Sequence, residues 1–278
     1  MTTNPKIFIG CSANHEDAES QVVLEYTLRS KSSLPLDITW MKLSRNPGSP
    51  FYSDGENGWN TSIWATPFSG FRWAVPELTG FQGKAIYMDS DMIVMSDIAE
   101  LWNQEFEHGK VVMAKGMNAT WRYCVSLWRC DAVSDFLPPI TDMQKDVNAH
   151  NKLMSLFRGR PDLTQTFRGN WNCLDGEQYQ SLYDPAIKCI HYTSVPHQVH
   201  LPLAQERLAK KGRSHWYTGA VKRHWREDLI QLFNTELEEA MEDGYPVELY
   251  EQDELYGPYN KKNTDHMKNE IPHWGMRA

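Results

Sequence analysis

Two aspartates with one serine between them, Asp89-Ser90-Asp91, close an apolar run of strand length, Lys84-Ala85-Ile86-Tyr87-Met88. A strand that stops in Asp-x-Asp delivers two carboxylates to one edge of a sheet, where open α/β folds bind their ligands. Hard oxygen ligands so close together suit a divalent cation, and such a cation can hold a diphosphate. A third donor, His191, ends a later apolar run, Ile187 to Tyr192. Two carboxylates and one imidazole suit Mn²⁺, with Mg²⁺ the alternative, better than a thiolate-seeking metal. Arg72 stands ahead of the acidic pair between Phe71 and Trp73. Its guanidinium is either a contact for an anionic ligand or a cation whose stem packs on Trp73. An isolated Asp-x-Asp also caps turns, and an isolated histidine is often a core residue. The strand and the arginine together favour ligation here.

The elements that must position these groups follow from periodicity. Lys6 to Ser12 reads as a buried strand, Ala18 to Ser30 as a helix with Val22, Val23, Tyr26 and Thr27 inward, and Leu36 to Met41 as a second strand. The opening is therefore β-α-β. From Ser44 to Ser62, Gly, Pro, Ser and Asn dominate, and a loop of that length is usually functional or mobile. Ser69 to Leu78 is helical in pattern with Pro76 limiting it, and Asp97 is placed to cap Ile98 to Trp102. Lys110 to Lys115 and Cys124 to Arg129 read as strands, and Val147 to Arg158 as an amphipathic helix ending near Gly159. Helices are expected over Leu203–Lys211 and Thr218–Glu242, with a polar tail from Tyr245. The expectation is an α/β domain over 1–202 and a helical C-terminal extension over 203–278.

Composition narrows the function. The 278 residues have 41% hydrophobic and 23% charged content, ordinary for a globular protein large enough for a conventional core. A net charge of −8 argues against a nucleic-acid partner. The five cysteines are odd in number and form no Cys-x-x-Cys pair, so they read as buried hydrophobes in a reducing compartment. The start has no long apolar segment behind a basic one, and no run is long enough to span a bilayer. A cytoplasmic protein with at most peripheral membrane contact is expected.

With these residues placed, the pattern resembles family 8 glycosyltransferases, the glycogenin and lipopolysaccharide galactosyltransferase group, over roughly residues 6–202. Four segments carry the resemblance in order: Ile7 to Asn14, Phe71 to Leu78, Lys84 to Val94 with Asp97-Ile98 and Leu101-Trp102 behind it, and Trp171 to Leu174 followed by Ile190 to Thr193. The resemblance implies an α/β fold of GT-A type, a Rossmann-like mixed sheet flanked by helices. It also implies a nucleotide-sugar donor, usually UDP-linked, with Mn²⁺ and transfer of a hexose with retention. Carried over, Asp89, Asp91 and His191 become metal ligands. Ser12, Asn14, Arg72, Ser90, Ser194 and His197 line the nucleotide sugar, and His150 and Asn151 stand at the catalytic, acceptor-side positions.

The chain departs from the family at three places. Ser12 replaces an aspartate, His197 stands where a lysine is common, and Ala149-His150-Asn151 replaces the acidic pair before Leu156-Phe157. Asp142, Asp146 and Asp175 are possible substitutes for the lost carboxylate, and His197 for the lost cation. An inverting enzyme would instead need a base such as Asp175 or Glu177. A non-catalytic relative that binds the nucleotide sugar or a glycan is the main alternative, and a haloacid dehalogenase-type phosphohydrolase a weaker one. Trp59, Trp64 and Trp171 are candidates for stacking on sugar. Lys222-Arg223-His224-Trp225-Arg226 reads as a solvated helix face, ahead of a contact for an anionic acceptor or a membrane surface. The acceptor is a saccharide, a glycolipid or a small molecule.

Overall fold

The computed structural model describes residues 4–118 and 120–259, so the tail from 260 onward lies outside the described residues. The elements in chain order are β1 (Lys6–Gly10), α1 (Ala18–Lys31), β2 (Asp37–Met41), α2 (Val75–Leu78), β3 (Lys84–Asp89), β4 (Met92–Val94) and α3 (Ala99–Trp102). They continue with β5 (Val112–Met117), β6 (Thr120–Arg129), α4 (Ile140–Lys145), α5 (Ala149–Arg158), β7 (Thr164–Thr166), β8 (Cys173–Leu174), β9 (Cys189–His191), α6 (His200–Lys210) and α7 (Glu227–Glu242). A six-stranded mixed sheet runs β2-β1-β3-β6-β5-β7, and a second sheet runs β4-β9-β8. β1 pairs in parallel with both β2 and β3, so Gly10, Met41 and Asp89 end at one edge. The acidic pair therefore sits where the β-α-β reading placed it.

Alternation along the central strands divides the core. Phe8, Ala85 and Tyr87 join one buried cluster with Trp73, Trp128 and Phe157, while Ile7, Ile9, Ile86 and Met88 join another with Leu24 and Leu28. Both faces of β3 are apolar because both are covered, which is why the run reads as continuous rather than alternating. A third cluster joins Val22 and Val23 of α1 to Ile190, Tyr192 and, from α7, Leu229, Phe233 and Leu237. The last helix, α7, thus shares a core with β4, which follows the acidic pair, and with β9, which ends in His191.

Several local expectations are revised. Ser69–Leu78 is not one helix. A 3-10 turn, Phe71–Trp73, precedes a single α turn in which Pro76 occupies the first positions, where its missing N–H costs nothing. Tyr26 is only half buried. Residues 218–226 are not helical, and α7 starts at Glu227, because His224 is turned inward against Asp175 instead of lying on a solvated face. The long segment 44–62 is tied down: Phe51 and Trp59 are buried, with Trp64 just beyond it, and Trp59 Nε1 donates to the Pro50 carbonyl at 2.8 Å. Trp171 is also fully buried, so all three tryptophans proposed for sugar stacking are core residues. The helix starts one residue later than expected, with Ile98 at the cap position, and Asp97 just ahead of it accepts from the Ala99 amide at 2.9 Å.

Candidate active site

Asp89 is two residues beyond Tyr87 on β3 and shares its face, so the Tyr87 hydroxyl donates to Asp89 Oδ1 at 2.7 Å. Arg72 reaches the same carboxylate through one nitrogen, at 3.1 Å to Oδ1 and 3.4 Å to Oδ2. Its Nε donates to the Ser69 carbonyl at 2.7 Å, and its guanidinium lies 5.1 Å from the centre of the Tyr87 ring. Arg72 is buried and its donors face inward, so its geometry is that of a residue fixing Asp89. Gly10 on the neighbouring strand leaves the space that the Tyr87 hydroxyl fills.

Asp91 is held differently. Gln198 Nε2 donates to its Oδ2 at 2.5 Å and to the Tyr192 carbonyl at 2.9 Å. Its Oδ1 is buried with no hydrogen-bond partner and stands 3.3 Å from His191 Nε2. On the other side of that ring, Nδ1 lies 2.8 Å from Asn172 Oδ1. An amide oxygen only accepts, so Nδ1 carries a proton and Nε2 is the nitrogen turned to Asp91. Asp91 Oδ1 and His191 Nε2 thus face each other at 3.3 Å in the interior, an arrangement that a shared proton or a cation satisfies. The ligand atoms of Asp89, His191 and Cys124 lie within 4.8 Å of one another, forming a donor set able to hold a metal ion. The structure thus gathers the three expected ligands around His191 and adds a thiol.

Behind Ser90 lies a second polar cluster that the sequence did not reveal. The Ser12 amide donates to Asp17 Oδ2 at 2.6 Å, and the Ser90 hydroxyl stands 3.5 Å from the same oxygen. His200 and His215 approach Asp17 Oδ1 at 4.0 and 3.9 Å. Burial raises the Asp17 pKa, but His215, His200 and the Ser12 amide outweigh it and hold it below the usual carboxylate range. Its one sequence signal is its place immediately before α1, where an aspartate reads as a cap rather than as a site residue.

Asn14 and His15 take left-handed backbone angles, φ 59° and 60°. The Asn14 amide exchanges two hydrogen bonds with the Gly257 peptide at 3.0 and 2.8 Å, and His15 Nε2 donates to the Asp253 carbonyl at 2.8 Å. Residues 253–259 therefore cross the turn expected to meet the nucleotide. Beside it opens a cavity of about 530 Å³ whose walls include Asn14, Glu16, Arg213, His215, Trp216 and Tyr259. Burial pushes the Glu16 carboxyl well above its ordinary range, although Tyr259 donates to it.

The remaining expected residues are scattered. Ser194 is buried and its hydroxyl meets His197 Nδ1 at 2.8 Å. Burial, with Lys222 and His224 nearby, lowers the His197 pKa, so it presents a neutral ring at pH 7. Lys222 is then the cation next to that position. Trp73 Nε1 donates to His150 Nδ1 at 3.0 Å, and burial with Arg72 and Arg158 lowers the His150 pKa to about 3. Asn151 is exposed on α5. The possible substitute carboxylates are committed elsewhere. Asp142 pairs with Lys145 and Asp146 with Lys152. Asp175 accepts from the Thr193 hydroxyl at 2.6 Å and faces His224 at 3.4 Å, and Glu177 pairs with Lys115 at 2.7 Å.

Residues 65–134, which hold Arg72, the acidic pair and β6, match the model of glycosyl transferase family 8. The galactosyltransferase LgtC, solved with donor and acceptor sugar analogs, aligns at 12% identity and a TM-score of 0.52, covering 84% of this chain and 95% of that one. The glycosyltransferase GlyE of Streptococcus pneumoniae TIGR4 aligns at 14% identity and a TM-score of 0.51, covering 88% of this chain and 64% of that one. The bifunctional glycosyltransferase WbbM aligns at 14% identity and a TM-score of 0.44, covering 69% of this chain and 46% of that one. No curated protein matches by sequence. The fold, a mixed six-stranded sheet flanked by helices, is that of the GT-A glycosyltransferases. The similarity to glycosyl transferase family 8 is confined to residues 65–134 of the 278, and the likeness to the solved structures is one of fold. Among the described residues no helix is long and apolar enough to cross a membrane.

Proposed function

We propose that this protein is a metal-dependent hexosyltransferase that moves a hexose from a UDP-sugar to an acceptor hydroxyl with retention of configuration. The observation that carries the metal is Asp91 Oδ1, buried without a hydrogen-bond partner and 3.3 Å from His191 Nε2, at the edge where Asp89 also ends. Asp89, Asp91 and His191 would hold Mn²⁺, or Mg²⁺. Bound there, the ion supplies Lewis-acid neutralisation of the departing diphosphate. Asn172 keeps His191 Nε2 directed at that position, and Gln198 keeps one Asp91 oxygen occupied so that the other is available.

On the donor side, Ser12, Asn14 and Ser90 surround the nucleoside, next to a cavity whose size suits a nucleotide sugar. Ser194 and His197 face the diphosphate, with Lys222 as the local cation. Arg72 acts through Asp89. On the acceptor side, inversion would need a general base near the acceptor. With a pKa near 3, His150 is a weak base at pH 7, Asn151 is no base, and Asp175 and Glu177 are already paired. This favours the retaining course. The acceptor is a saccharide, glycolipid or small molecule, and the setting is cytoplasmic. The test is UDP release from a panel of UDP-hexoses, with and without Mn²⁺. Release that requires the metal and disappears in Asp91→Ala supports the reading, whereas release unaffected by a chelator, or none with any donor, refutes it.

A further inference from the structure

Cys124 was read as an apolar filler, but its surroundings differ from those of the other four cysteines. They are buried, while Cys124 is only partly so. β3 and β6 pair antiparallel with Met88 opposite Val125, and continuing that register by one residue sets Asp89 opposite Cys124. Directly opposed residues of an antiparallel pair point to one side with Cβ atoms about 4.5–5.5 Å apart. On its other edge β6 loses register with β5: Ser126 pairs with Ala114, but the next residue, Lys115, pairs with Arg122. The bulge thus spans Tyr123, Cys124 and Val125. Bulges beside sites redirect a side chain, and this one falls where β6 meets the acidic motif. The result is a thiol whose Sγ lies within 4.8 Å of ligand atoms of both Asp89 and His191.

The ordinary account is that Cys124 accepts a hydrogen bond from Arg72, whose Nη1 is 3.7 Å from Sγ. Thiols are weak acceptors, and this contact leaves the unpartnered Asp91 Oδ1 unexplained. That oxygen belongs to a residue only 8% exposed and points at His191, the residue common to both groupings. We propose that Cys124 is a specificity-determining residue of the metal position, its sulfur joining Asp89 and His191 so that the site favours thiophilic divalent ions, Zn²⁺, Co²⁺ and Cd²⁺, over Mg²⁺. On binding, the thiol proton passes to solvent and a metal–sulfur bond forms. Sulfur with imidazole and carboxylate selects softer ions than oxygen alone. The inference rests on the metal-dependent reading above and refines which ion the site prefers.

The experiment is titration of the full chain with Co²⁺, with and without UDP, followed through the sulfur-to-cobalt charge-transfer band in the near ultraviolet. The wild type is expected to show the band, and Cys124→Ser to bind Co²⁺ through its visible d–d bands while losing it. Competition between Cd²⁺ and Mg²⁺ gives a second readout: the preference for Cd²⁺ should fall roughly 10–100-fold in Cys124→Ser and Cys124→Ala alike. Co²⁺ bound by the wild type without the band, or an unchanged preference in both variants, overturns the proposal and leaves the metal-dependent reading standing. Failure of the wild type to bind Co²⁺ at all, with UDP present, overturns both.

Discussion

Removing Arg72 should expose how firmly the first aspartate is held. Arg72 and Asp89 are each about nine-tenths or more buried and 3.1 Å apart, so Arg72→Met leaves a carboxylate in the interior without its cation. Breaking a buried pair from one side costs about 3–5 kcal/mol, mostly as the penalty on the abandoned charge. The Tyr87 hydroxyl at 2.7 Å remains and offsets part of it, so the lower end, about 3 kcal/mol, is expected. For a chain of this size each kcal/mol shifts Tm by roughly 2–4 °C, which gives a fall of about 6–12 °C in scanning calorimetry. Arg72→Met/Asp89→Asn removes the abandoned charge as well and should recover 0.5–3 kcal/mol of non-additivity, the usual range for residues in contact. A single Arg72→Met change that moves Tm by less than about 2 °C, or a double variant whose losses simply add, would show that Arg72 is not the partner that makes Asp89 tolerable in the interior.

His150 gives a pH signature. Its folded pKa is depressed from 6.5 to about 3, so the unfolded chain binds the extra proton between those values. Stability from this residue is therefore present above pH 6.5 and is lost as pH falls towards 3; His150→Gln should flatten that part of the denaturation-against-pH curve, and an unchanged slope would contradict the assignment. Gln198→Leu frees Asp91 to rotate and should weaken Mn²⁺ binding 10–100-fold by calorimetry, with an equal affinity to wild type counting against Gln198 as its anchor. Gly10→Ala places a methyl group against the Tyr87 hydroxyl and should cost about 1–3 kcal/mol while displacing that hydroxyl from Asp89; a neutral substitution would mean the space is not needed.

The acidic edge was legible because it depends on local pattern. Continuous apolar runs at Ile7–Gly10 and Lys84–Met88 are what a strand covered on both faces requires, and polar residues follow each where the sheet ends. Gln198, Asn172 and Cys124 were not legible, because their roles depend on partners far away in the chain. Gln198 meets Asp91 across 107 residues, and Asn172 matters only through the tautomer it imposes on His191. Cys124 becomes a candidate donor through strand register and a bulge, neither of which leaves a local signal. Burial also changed one reading and added to another. His224, expected on a helix face, turns against Asp175 where 218–226 is not helical, and Arg72, expected at the donor, pairs with Asp89. Asn14 is likewise engaged by Gly257, a contact no pattern around residue 14 announces.

The central claim is that Asp89, Asp91 and His191 hold a divalent ion that in turn holds a nucleotide diphosphate. Thermal unfolding of the full chain with UDP, in the presence of Mn²⁺ or of a chelator, addresses it directly. At a hundredfold excess over Kd a bound ligand adds about 2.7 kcal/mol of stability. The account predicts that this gain appears with UDP and Mn²⁺ together and vanishes with the chelator and in Asp91→Ala. Stabilisation by UDP that ignores the chelator, or none under any of these conditions, would contradict it.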